Sequence, residues 1–524
     1  MSRVAIHLSR IVATALLLAI PACQVLAQPQ ASTLRIRIGS DIRSTDPGVN
    51  RDANTDMVAM HIFEGLVAYR EDTSVGPLLA ESVHVSSDGL VYTFTLRRGV
   101  TFHNGAPLTG EDVVFSWTRY MTPQTHWRCL EEFDGRGASK VMSVKSPDPA
   151  TVVFKIDRPS AIFLSNLART DCGGTGIYHR SSIGSDGKWR EPIGTGPFKM
   201  GTWKRGQYVE LLRNDAYAAL PGRLDGYTGN KTPEVAKVRF NVIPDASAAR
   251  AALLSGSIDM LFDIDDEDLP ELRSRTDVVV STAPSMNLSG ILLQSRKRPL
   301  SDVRVRRALA LALDIPLLVD TVTSGTSKPS RSAIPRSSSF YSAAQAAVAP
   351  RDLGRARQLL AEAGYKGEAI GLLTTSRYKN LMQMAVVAQS MAIEAGIRLE
   401  IVVLDWATLL DHYVTQDYEA MTFSFSPRAD PSLSYGMFVS AGDNQAVRVW
   451  NDPEAAELVE RSMVTADRVQ RQALFDRLDV KLREDVPAIF MYSSERSAAS
   501  KTYVSGYTRW PLGPRAWGVR MRTS

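Results

Sequence analysis

LRRGVTFHNGAPLTGEDVVFSWTR, Leu96 to Arg119, is the stretch that decides how this chain folds. It closes a run, Leu90-Val-Tyr-Thr-Phe-Thr-Leu96, in which apolar and polar residues alternate as on a half-buried strand. Gly99 to Gly105 supplies a turn-rich connection. Thr109-Gly-Glu-Asp112 then puts a capping hydroxyl and two acids where a helix over Val113 to Trp117 begins. The same alternation continues along the chain. Residues 33–38, 152–156, 208–212, 237–243, 397–404 and 488–492 read as strands, residues 57–66, 246–254, 301–313, 351–362 and 382–394 as helices, and residues 453–484 as two more helices. Asp245 and Gly256 bracket one helix as cap and stop, Asp314 with Pro316 opens another, and Gly364 ends a third. Helices interleaved with strands predict an α/β fold with mixed sheets.

Composition sets the outer bounds. A chain of 524 residues with 44% apolar and 22% charged residues is too long for one core and divides into at least two domains. Lys and Arg total 61 against 56 Asp and Glu. That near balance, without a concentrated basic stripe, speaks against nucleic acid as a partner. Collagen-like, disordered and cysteine-framework classes are excluded as well.

Residues 1–27 read as an export signal. Arg3 and Arg10 form a positive start, residues 11–20 an apolar core, and Pro21 breaks the helix before small or apolar residues at Val25 and Ala27. Ten apolar residues cover about half of a ~30 Å bilayer core, too few for an anchor. Ile20-Pro-Ala-Cys23 also resembles a lipoprotein box, with Cys23 as the lipidated residue, although proline fits that box poorly and a free periplasmic protein is favoured. Two cysteines then remain, Cys129 and Cys172. In an oxidising compartment the pair is most simply a disulfide, worth roughly 4 kcal/mol in the chain-entropy picture, with two buried thiols as the alternative.

Five blocks in order carry a resemblance. They are the opening stretch, GTGPFKMGTWKRGQYVELLRNDAY (Gly194 to Tyr217), PEVAKVRFNVIPDASAARAALLSGSID (Pro233 to Asp259), PLSDVRVRRALALALD (Pro299 to Asp314) and DLGRARQLLAEAGY (Asp352 to Tyr365). Together they resemble the family 5 extracellular solute-binding proteins, the peptide, nickel and opine receptors of ATP-binding-cassette importers. The physics of each block is structural: Gly194 and Gly196 permit a turn, Pro197 fixes the next φ, and Val303, Arg306, Ala308 and Leu309 form a packing helix with a basic face. The resemblance implies a two-lobed periplasmic-binding-protein fold, class II-like, with mixed sheets, a hinge of two crossing strands and a cleft between the lobes. Lobe one takes residues 28–284 plus 485–524, with a subdomain at about 60–190; lobe two takes 285–484. Ligand contact with both walls favours the closed state by its differential affinity.

The resemblance also implies where cargo sits. Phe423-Ser-Phe-Ser-Pro-Arg-Ala-Asp-Pro431 is similar to the segment lining the cleft from lobe two. Dipeptide binders carry there a Trp, and an Asp for the α-ammonium; this chain has Ser424 and Pro427 in those places, and neither can hold an ammonium. Arg428 offers instead a fork of donors for a carboxylate, unless it pairs with Asp430 or another acid nearby. Phe425 and Asp430 belong to the same segment. Arg377 lies near the arginine that dipeptide binders use for the C-terminal carboxylate. Trp406 after Asp405 could present an indole wall or fill the core, and Asn54 and Asp171 occupy lobe-one loops that reach the cleft in relatives.

Other chemistries find little support. Asp263-Ile-Asp-Asp-Glu-Asp268 lacks the glycine and the final glutamate of a calcium loop and reads as a solvated helix start. The seven histidines have no zinc-hydrolase spacing, although His126 and His179 lie near the cysteines; no metal and no cofactor is expected. Neither a nucleophile elbow nor a P-loop occurs, and Ser185 to Lys188 and Ser376 to Lys379 match one penicillin-binding motif without its companion. The reading is a monomeric receptor, not an enzyme, that captures a peptide-like or acid-bearing solute and hands it to a membrane permease. The alternatives are a periplasmic serine hydrolase or transpeptidase, and a chemosensory or chaperone role on the same fold.

Overall fold

The computed structural model describes residues 32–49, 52–137, 139–425, 428–439 and 449–522; the export signal and Cys23 lie outside them. Alternation at the start of the described chain does what it predicts. In Thr33–Ile38 every second side chain, Leu34, Ile36 and Ile38, is buried. This strand is central to a seven-stranded mixed sheet, parallel to Lys237–Val242 (Ile36 opposite Phe240) and to Met260–Leu261. Tyr208–Arg213 and Phe198–Lys204 extend the sheet on one side, Glu495–Lys501 and Val278–Pro284 on the other. The opening stretch builds a second, four-stranded antiparallel sheet from Ala80–Val85, Val91–Leu96, Thr151–Ile156 and Val141–Asp148. The helix Gly110–Tyr120 packs on it, started by Thr109, whose backbone N–H and hydroxyl both donate to Asp112 at 3.0 and 2.7 Å. Both sheets share one continuous apolar core.

The other lobe is a five-stranded mixed sheet in the order Leu399–Val403, Ile370–Thr374, Ala420–Phe425, Leu288–Leu293, Ala488–Tyr492. Apolar clusters cover both of its faces, so its middle strands are buried on both sides and read as continuous apolar runs. Capping aspartates begin its helices: Asp302 before Val303–Ala312, Asp314 before Ile315–Thr323, Asp352 before Leu353–Ala363. No helix among the described residues is long and apolar enough to cross a membrane.

Two features depart from the sequence reading. The chain was expected to return to lobe one near residue 485, but Ala488–Tyr492 pairs with Leu288–Leu293 inside the lobe-two sheet. The crossing falls at Ser493 and Ser494, after which Glu495–Lys501 joins the first sheet. Arg306, expected on a basic face, is buried; its guanidinium donates to the carbonyls of Asp485 at 2.6 Å and Leu300 at 2.7 Å, closing the C-terminus of Arg468–Asp485.

The two crossings are tied together. Ser285 N–H donates to the Ser494 carbonyl at 2.7 Å. The Asn287 amide oxygen accepts from Ser494 N–H (2.9 Å) and the Ser285 hydroxyl (2.8 Å), while its nitrogen donates to the hydroxyls of Ser494 and Ser424 at 3.1 Å and of Ser289 at 3.3 Å.

Lobe one also buries a complete ion pair. Lys231 Nζ lies 3.0 Å from Glu64, and both side chains are 0% exposed. Burial pushes Lys231 down from its ordinary value, and the Glu64 charge offsets part of that. Glu64 further accepts from the hydroxyls of Tyr217 (2.8 Å) and Thr195 (3.1 Å). Removing one partner strands the other charge, which typically costs about 3–5 kcal/mol. Lys231→Met is therefore expected to lose that much stability in urea unfolding, and Lys231→Met with Glu64→Gln to recover part of it. A single variant as stable as the parent would contradict this account.

Candidate functional site

Three neighbouring parallel strands of lobe two, Ile370–Thr374, Leu399–Val403 and Ala420–Phe425, point their C-terminal ends the same way. The segments that follow them carry Arg377, Trp406 at the start of the helix Trp406–Thr415, and Arg428, and such ends are where open α/β sheets place ligands. Arg428 lines a cavity of about 750 Å³ between the lobes. Lobe one contributes Glu131, Glu132, Arg136, Arg158, Ile162 and Arg169; lobe two contributes an apolar wall including Leu433, Met437, Val459 and Met463, with Glu460. The lobes touch at its rim, where Ala161 N–H donates to the Met463 carbonyl at 2.7 Å, and elsewhere Lys379 reaches Glu267 across the cleft at 3.1 Å.

Charge alternates across this cavity. Arg169 donates to Glu132 at 2.6 Å and to Asp171 at 2.8 and 3.0 Å. Burial pushes the Asp171 carboxyl up, but the Arg169 hydrogen bonds and the charges of Arg169, Arg428 and Arg128 outweigh it and hold Asp171 down at about 2. Burial likewise pushes Arg428 below its ordinary value, and the Asp171 charge opposes the shift. Arg428 of lobe two thus faces Asp171 and Glu132 of lobe one, with Arg169 between them.

The other residues singled out in the sequence fall in different surroundings. Asp430 is buried and accepts from both Arg471 terminal nitrogens at 2.7 and 2.8 Å and from Ser432 N–H at 2.9 Å, so its partner is Arg471 and it caps Pro431–Tyr435. Phe425 is buried among Phe423, Tyr413, Phe438 and Phe490 in the lobe-two core. Trp406 is half-buried, edge-on to Tyr378 at 5.0 Å and stacked on Phe423 at 6.2 Å. Arg377 is exposed, with its guanidinium 5.7 Å from the Tyr378 ring, so it groups with Trp406 and not with the cavity wall. Asn54 donates to the Ser40 hydroxyl at 2.8 Å and ties the start of its helix to that loop. Ser424 is held by Asn287; Pro427 lies outside the described residues. Asp263, in the acidic run, faces Arg509 at 3.2 Å, and a short helix, Leu269–Ser274, follows the run.

The lobe-one wall was missed in the sequence. Glu131, Glu132, Arg136, Arg158 and Arg169 show no periodicity, and their common signal is proximity to Cys129 and Cys172. Those cysteines form a disulfide with Cα atoms 5.6 Å apart. Asp171 lies beside them, the one grouping of candidate metal ligands among the described residues, but both sulfurs are consumed by the bond and no thiolate remains to coordinate a metal.

Comparison with known proteins follows this geometry. A model of the bacterial extracellular solute-binding proteins, family 5, matches residues 74–446. The dipeptide-binding protein of Escherichia coli is 27% identical over 95% of this chain and 96% of its own. The oligopeptide-binding protein AppA of Bacillus subtilis is 28% identical over 88% of this chain and 86% of its own. Among solved structures, HbpA2 from Haemophilus parasuis superposes with a TM-score of 0.82 over 94% of this chain and all of its own, at 24% identity, a likeness of fold.

A carboxyl held at about 2 against an unfolded value near 3.8 stabilises the fold above that unfolded value and loses its contribution as pH falls towards 2. Asp171→Asn is therefore expected to lower stability at pH 7 and to flatten the acid limb between pH 4 and 2, measured by urea titrations across pH. Parallel parent and variant curves would refute the assignment.

Proposed function

Because the chain belongs to the bacterial extracellular solute-binding proteins, family 5, whose members are transport receptors and not enzymes, we propose that it captures a small acid-bearing organic solute in the cavity beside Arg428. Members of the family act in the periplasm or outside the cell and pass cargo to the permease of an ATP-binding-cassette importer. The finer reading is that residues 1–27 are removed on export, Cys23 with them, and that the receptor works as a free periplasmic monomer.

One observation supports the choice of cargo: the half-buried Arg428 lines an interlobe cavity whose opposite wall is charged and whose near wall is apolar. A ligand carboxylate on that fork would gain two charge-assisted hydrogen bonds, and an apolar body would lie against Leu433, Met437 and Met463. Pro427 in place of the dipeptide binders' aspartate supports a cargo other than an ordinary dipeptide. Closure follows from the same contacts, since a ligand gripped by both walls binds the shut form more tightly.

Isothermal calorimetry of the purified protein against peptides, opines and oligosaccharides tests this. An acid-bearing member is expected to bind with Kd on the order of micromolar, about −8 kcal/mol. Arg428→Ala is expected to weaken it by roughly ten- to a hundredfold, the range for a hydrogen bond to a charged group. An unchanged affinity for the true cargo would sink the assignment of Arg428.

A further inference from the structure

The lobe-one wall of the cavity is built by two loops far apart in sequence and poor in regular structure. Cys129 immediately precedes the single turn Leu130–Glu132; Glu131 and Glu132 line the cavity from this turn, and Arg136 and Gly137 from just beyond it. Cys172 sits within the turn Thr170–Thr175, with Asp171 beside it and Arg169 at its start. Forty-three positions separate the two cysteines, including two strands of the four-stranded sheet and the helix Phe163–Leu167. Gly173 and Gly174 take φ of 71° and 60°, so the second loop reverses by left-handed backbone instead of helix. Besides the disulfide, the Arg169 to Glu132 ion pair at 2.6 Å joins the two loops, and the Trp127 indole donates to the Cys172 carbonyl at 3.0 Å.

The ion pair lies on the cavity surface and the disulfide behind it, with cysteine exposures of 2% and 0%. The bond therefore ties the two loops together right beside Asp171, while Glu132 and Arg169 line the cavity that Arg428 lines from the other lobe. An ion pair alone is a soft hold, because partly exposed pairs contribute little and both side chains can rotate. A covalent link between the loops removes the freedom that would let them part.

We propose that the Cys129–Cys172 disulfide is a positioning element of the cargo site: it holds Glu132 and the Arg169–Asp171 pair in register opposite Arg428, so that capture requires the bonded form. This rests on the reading of the cavity as the place where cargo binds. The cysteines touch no cargo; they act through the wall they anchor.

Two double variants separate positioning from packing. Cys129→Ser with Cys172→Ser removes the bond and leaves polar groups; Cys129→Ala with Cys172→Val removes it and keeps the site apolar. Hydrogen–deuterium exchange is expected to show faster exchange in residues 130–137 and 169–176 of both variants, with Val91–Leu96 and Thr151–Ile156 as protected as in the parent. Calorimetry against the peptide, opine or oligosaccharide that binds the parent is expected to show at least a tenfold loss in both. Adding Arg428→Ala to either variant is expected to cost less than it costs in the parent, since a displaced wall no longer presents cargo to that guanidinium. Parent-like exchange and affinity in the Ala/Val pair would make the cysteines mere filling and overturn the proposal. So would strictly additive effects with Arg428→Ala, or loss of protection throughout the four-stranded sheet in both variants. Should no compound bind the parent, the cargo reading falls, while exchange in the two loops still decides whether the bond holds the wall.

Discussion

Whatever relative motion the lobes have must pass through two short crossings, Ser285 to Asn287 and Ser493 to Ser494, and one amide side chain binds both. Asn287 is satisfied on every side: its oxygen accepts twice and its nitrogen reaches three hydroxyls. Two of those hydroxyls, on Ser289 and Ser424, belong to the lobe-two sheet, and Ser424 lies on the strand that ends in the Arg428 loop. The hinge and the ligand-facing loop therefore share a hydrogen-bond network. Breaking either end of this network would leave partly buried polar groups unpaired, which is costly.

The cavity shows how opposed charges can be tolerated near an interior. Arg428 and Arg169 would repel if left alone, but Arg169 pairs with Asp171 and Glu132, and the charges of both acids also act favourably on Arg428, so each cation has an anionic neighbour. Such an arrangement disfavours any guest that brings one sign of charge without displacing or satisfying a protein group of the other. Next to it stands an apolar slope that includes Leu433, Met437, Val459 and Met463, against which an aliphatic body would pack.

Much of the architecture was written locally. Asp245, Asp302, Asp314 and Thr109 start their helices where the capping pattern put them, because a cap depends on three or four consecutive residues. Less legible was everything that depends on distant partners. Ala488–Tyr492 is buried at every position, so its sequence announces a strand without saying which sheet it joins. Arg306 looks like any helix-surface arginine until the end of Arg468–Asp485 arrives to take its donors. Asp430 could have served Arg428 on sequence spacing alone; Arg471, on a helix that follows much later, claims it. The wall residues Glu132 and Arg169 are brought together only by the fold of the subdomain, and no periodic pattern marks them.

The contact between Ala161 and Met463 joins peptide groups and leaves side chains out of it. Mutation can change what lies on either lip, in size, sign or polarity, yet the seam between the lobes would still find the same donor and acceptor. Selection is thereby free to retune the contents of the chamber without redesigning how it shuts. A scaffold of this kind can diverge in diet while conserving its bite.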